Sequence, residues 1–192
     1  MPLIRPSRIR IDSELLDALS APASQQNYAD DVRAFVRIDH SIRTYWHTLF
    51  DVCPGLLRLS GPDGQSVFRP FMAWAAEQRL SFGWSYYLWV YIWLRQSEFR
   101  GLLDSDLRLS LMAASAARWA TFDRSKAAAI AIGCMEVQGL VCGFKPCALD
   151  ASMTVEYQEL EKAIASPDGQ FGFFTSSGPE IDRFPGWYAI PK

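Results

Sequence analysis

Between residues 25 and 52 the apolar positions Tyr28, Val32, Phe35, Val36, Ile42, Tyr45, Trp46, Leu49 and Phe50 recur at spacings of one, three and four. That pattern puts them on one face of a long amphipathic helix, which Pro54-Gly55 stops. Upstream, Ser13 to Leu19 reads as a short helix capped by Asp12 or Ser13. Downstream, Pro70 suits the first turn of a helix over Phe71–Leu80. The next helix is expected over Ser105–Ala120, with Asp104 or Ser105 as cap. Its Ala113, Ala114, Ala116 and Ala117 would let it approach a bulky neighbour closely.

Ser81–Arg95, SFGWSYYLWVYIWLR, is that neighbour. The 13 residues from Phe82 to Leu94 carry seven aromatics and no charge. Read as a helix, the segment is apolar all round and belongs at the centre of a core. Its length favours a helix over a buried strand, although Trp, Tyr, Val and Ile all suit sheets. Another almost wholly apolar helix is expected from Ser125 to Leu140, and an amphipathic one over Ala151–Ala165, where Met153, Tyr157, Leu160 and Ile164 step by four, three and four.

These elements predict an all-α fold: one compact domain over residues 1–192, a bundle of about six helices around the central aromatic one. Residues 1–11, with Arg5, Arg8 and Arg10 among prolines, read as an extended arm. Residues 167–192, rich in Gly, Ser and Pro, read as an irregular tail packed back on the body, with room for one short hairpin.

Composition narrows the function classes. The chain has 192 residues, 49% apolar, enough for a sizeable core. A net charge of −2 gives no electrostatic case for nucleic acid or an anionic membrane as partner. The 15 Arg against 4 Lys favour planar ion pairs and stacking on aromatic rings. No apolar leader precedes Cys53, Cys134, Cys142 and Cys147, and their spacing does not suit a metal site, so reduced thiols and a cytoplasmic location are expected. Neither apolar run is a convincing transmembrane span, and no cofactor is implied. From Asp150 onward there are seven acids against three bases, an ordinary solvated surface for a charge difference this small.

The candidate chemistry is sparse. Gly61-Pro62-Asp63-Gly64 is turn chemistry; a phosphate loop would need Lys-Ser/Thr and a helix following at once. Asp39 falls in the apolar stripe of the long helix, with Arg43 one turn on, and reads as either a site carboxylate or half of an ion pair. Glu136 is the lone charge of its apolar segment, where an Arg partner or simple exposure at an incompletely buried flank is the simpler expectation and an acid–base pairing with Asp39 the sharper one. His40 and His47 stand about 10 Å apart along a helix, too far to share a metal ion; His47 is a catalytic candidate only on its own. No catalytic residue stands out beyond Asp39, Glu136 and His47. Trp84, Trp89, Trp93 and Arg95 are binding candidates if exposed.

With no catalytic constellation and many aromatic and Arg residues, the expectation is a protein-binding domain acting by surface recognition. A bacterial immunity protein or an effector adaptor fits, its partner being another protein such as a toxin or secreted effector. A small helical enzyme or ligand carrier with a carboxylate-containing pocket is the alternative, and a membrane-active effector a weaker one.

Overall fold

A computed structural model describes residues 40, 43–146, 152–160, 164–178 and 184–192. The N-terminal arm, the short helix after Ser13, Asp39 and Cys147 lie outside the described residues. The backbone divides into two compact units, Met1–Phe82 with Lys192, and Gly83–Pro191.

In the first unit, α1 (residues 43–50) buries Leu49 and Phe50. A 3-10 turn, Pro54–Leu56, leads into the single-turn α2 (Leu57–Ser60). Gly61 and Gly64 both have positive φ, 77° and 70°. α3 (Gln65–Glu77) begins directly after Gly64, six residues earlier than the apolar spacing predicts, and carries Pro70 inside it. Pro70 removes one helical N–H without ending the helix. The Asp63 carboxylate accepts from the Gln65 N–H at 3.0 Å, and the Asp63 carbonyl from the Trp46 indole at 2.8 Å. A β-carbon on Gly64 would stand 2.6 Å from the Phe50 ring, so the turn is fixed by packing as well as by φ.

The second unit is a two-layer arrangement of helices on a sheet. α4 (Tyr86–Gln96) is the aromatic segment, with Tyr86, Tyr87, Leu88, Val90, Tyr91, Trp93 and Leu94 all buried. After a 3-10 turn, Glu98–Leu102, comes α5 (Ser105–Phe122), whose cap is Asp104, accepting from the Leu107 N–H at 2.7 Å. The chain then forms β1 (Ala129–Cys134), β2 (Val137–Phe144), β3 (Thr154–Glu159), β4 (Phe171–Ser176) and β5 (Tyr188–Ala189). Their order is β3-β2-β1-β4-β5, with every neighbouring pair antiparallel.

The all-α expectation is therefore wrong, as is the helical bundle: the protein is mixed α and β, with a five-stranded antiparallel sheet among the described residues. The error has two physical sources. β1 is buried at all six positions, and a strand covered on both faces loses the period-two alternation that would separate it from a buried helix. Gly133 and Gly139 are the contrary signal, since each costs a helix about 1 kcal/mol relative to Ala. The second source is β3, because Tyr157 within it also belongs to the helical series Met153, Tyr157, Leu160 and Ile164 that extends beyond both ends of the strand. Pairing with β2, Tyr157 opposite Val141 and Val155 opposite Gly143, decides in favour of a strand. The tail of 167–192 is likewise not wholly irregular, because β4 and β5 belong to the sheet.

Register assigns the faces. Ile132 stands opposite Phe173 and Cys134 opposite Phe171, so these residues share one face. α4 and the residues just before it pack on it: Trp84 meets Phe173 edge-on at 4.9 Å and Tyr91 of α4 meets Phe171 at 5.5 Å. α5 packs against α4 and also crosses β1 and β2, so its small residues serve the sheet as well as the aromatic helix. On the reverse face Ala131, Leu140, Cys142 and Phe174 form a second apolar cluster, joined by Leu160, Ile164 and Trp187.

Candidate functional site

The two-residue turn between β1 and β2 consists of Met135 and Glu136. A register shift between Gly133 and Cys134 sets the geometry at this end of the hairpin. The turn aims the Glu136 carboxylate at the two helices. Arg108 of α5 donates from Nη1 to Glu136 Oε2 at 2.9 Å, and the Tyr91 hydroxyl of α4 donates to the same oxygen at 3.2 Å. Arg95, one turn beyond Tyr91, pairs through Nη1 with Glu136 Oε1 and also donates to the side-chain oxygen of Gln170. Gln170 closes the ring by donating from Nε2 to Cys134 Sγ at 3.4 Å.

Three segments far apart in sequence thus converge on one carboxylate. Burial works against its charge, but the Arg95 cation and hydrogen bonding from Gln170, Tyr91 and Arg108 hold Glu136 below the usual carboxylate range. Tyr91 is pushed up, chiefly by burial and partly by the Glu136 charge. Cys134 is also pushed up by burial, against donation from the Glu136 backbone N–H and from Gln170, so it stays a neutral thiol at neutral pH. The cluster can hold and present charge: two guanidinium groups, one carboxylate and two neutral donors.

A second feature lies on the reverse face of the sheet. Gly133 and Gly172 are cross-strand partners, and the Trp187 ring lies over both, where β-carbons would collide with it. The indole N–H donates to the Ala165 carbonyl at 2.5 Å. Beside the ring, Leu140, Leu160 and Ile164 line a small open cavity of about 60 Å³.

Of the residues singled out by sequence, the structure brings two together, Arg95 and Glu136. His47 is apart from them, on α1, hydrogen-bonded through Nδ1 to the Asp51 carboxylate at 3.0 Å and exposed; His40 is exposed too. Trp93 is buried, while Trp84 and Trp89 are half-buried, with the Trp89 indole donating to the Pro191 carbonyl at 2.8 Å. Asp39 falls outside the described residues, so its pairing with Arg43 or Glu136 does not enter. Sequence reading missed Tyr91, Arg108 and Gln170; the surplus of Arg over Lys was the one hint that a lone carboxylate would find guanidinium partners. Among the described residues no three His, Cys, Asp or Glu side chains gather as a metal-holding group, and no helix is long and apolar enough to cross a membrane.

These features define a mixed α/β protein whose charged cluster is built from two helices and a hairpin turn. The family model for Methanobactin biosynthesis cassette protein MbnC-like matches residues 25–191, and the chain belongs to that family. Among curated proteins none matches significantly. Membership in a biosynthesis family overturns the immunity-protein and effector-adaptor expectation. Among the Trp, Tyr and Arg residues behind that expectation, Tyr86, Tyr87, Tyr91 and Trp93 are buried in α4, and Arg95 and Arg108 are held by Glu136.

Proposed function

We propose that this protein takes part in the biosynthesis of methanobactin, a copper-binding natural product. The observation that carries the reading is the match over residues 25–191, which extends through nearly the whole chain. Copper in this reading belongs to the product. A cassette is a set of genes acting together, so the partner expected from sequence becomes another product of the same cassette in place of a toxin.

Deleting the gene in a producing strain, while leaving the rest of the cassette intact, tests the proposal. Methanobactin, followed by mass spectrometry and by copper binding of the culture, is expected to disappear and to return with a wild-type copy. Unchanged product in the deletion strain would refute it.

A further inference from the structure

We propose that Arg95 and Arg108 form a binding site for a ligand carboxylate, and that Glu136 is its built-in occupant, displaced when the ligand arrives. This rests on the cluster geometry alone and does not depend on the biosynthetic reading.

One of the two cations is set deeper than the anion they hold, while the other, Arg95, is level with it at 31% exposed. Arg108 is 13% exposed and projects from α5, whereas Glu136 is 30% exposed and sits on a turn whose other residue, Met135, is open to solvent. The helices are anchored by the buried core of α4 and α5; the turn is held by its hairpin, by the Met135 N–H donating to the Gln170 carbonyl at 3.1 Å and by the cluster itself. Of the two sides, the turn is the one that moves at lower cost.

Glu136 also leaves donors unused. Each guanidinium reaches it through a single Nη1. Arg108 Nε is buried and has no hydrogen-bond partner. An Arg recognises a carboxylate best with two parallel N–H donors, and a buried donor left unpaired costs stability. A carboxylate entering in place of Glu136 can take the Nη1 and Nη2 end of Arg108 together, of which Glu136 uses Nη1 alone. Charge points the same way: two cations face one anion, and the neighbouring polar groups, the Tyr91 hydroxyl, the Gln170 amide and the Cys134 thiol, are neutral.

A side-chain carboxylate and a chain-terminal one share this chemistry, so the probes are acetyl-Glu-amide and N-acetylalanine, with acetyl-Gln-amide as the uncharged control. Calorimetric titration of the full chain is expected to show saturable binding of at least one acidic probe to E136Q, about tenfold or more tighter than to wild type, because the variant has no charged occupant to displace. The stronger probe tells which source the site prefers. Binding should weaken with salt and vanish in R108Q/E136Q. A folded E136Q that binds neither acidic probe overturns the proposal, as does binding that persists in R95Q/R108Q/E136Q. If E136Q does not fold, wild type decides: saturable binding of an acidic probe but not of acetyl-Gln-amide supports the site, and none up to about 100 mM overturns it.

Discussion

The carbonyl oxygen of Ala116 lies 2.7 Å from where a β-carbon on Gly143 would stand. α5 therefore touches β2 backbone to backbone, and the glycine is what allows the helix to sit so low on the sheet. G143A is expected to lose about 1–3 kcal/mol by overpacking, read from the urea midpoint with an unchanged m-value. G101A, where a β-carbon meets nothing within 4 Å, is the control and should be close to neutral.

Trp187 gives a second packing test. G133A and G172A both intrude on its ring, and each is expected to cost about 1–3 kcal/mol and to shift Trp187 emission to the red. In a W187A background most of that cost should disappear, so the double-mutant cycle returns a large coupling. Simple additivity would mean that the glycines are needed for some other reason.

Replacing one partner of the Glu136 cluster leaves the others uncompensated. R108Q and E136Q are each expected to destabilise by about 1–3 kcal/mol, and R108Q/E136Q by less than their sum. Because Glu136 is partly exposed, the loss in E136Q should shrink at high salt or with added carboxylate.

Acid should weaken the second unit in a defined direction. Glu136 and Asp123 both titrate lower in the folded protein than in the unfolded chain. For Asp123, burial is outweighed by the Lys145 ammonium at 2.7 Å and by hydrogen bonds from Ser125. A depressed carboxyl stabilises the fold above its unfolded pKa and loses that contribution as pH falls through its folded pKa. Stability is therefore expected to be flat above about pH 5 and to fall below it. Pairing D123N with E136Q should flatten the acid limb of the curve. An acid limb as steep as in wild type would assign it to other groups.

Burial makes two thiols inert. Cys53 is pushed up to about 12 and Cys142 to about 11. At pH 8 neither should react with a disulfide reagent in the native protein, while both should label in denaturant, as read by site-resolved mass spectrometry. Fast native labelling at Cys142 would mean that the reverse face of the sheet opens readily.

From sequence alone, the helices were legible where one face is apolar or a cap is present: residues 43–50, the aromatic helix and the Asp104-capped α5 all lie where periodicity puts them. Glu136 stands out in the sequence as a lone charge in an apolar run, where an Arg partner and simple exposure are both open. The sheet was not legible, because β1 is covered on both faces and its run of Ala and Ile has no alternation to read. Only tertiary pairing turned 129–144 into a hairpin and 154–159 into its neighbour. The cluster followed from that error: a turn at Met135–Glu136 exists only if the segment folds back on itself, and only then do Tyr91, Arg95, Arg108 and Gln170 reach one carboxylate. Local propensity acts over a few residues, whereas these contacts span 28 to 75 positions, and nothing short of the packed fold specifies them.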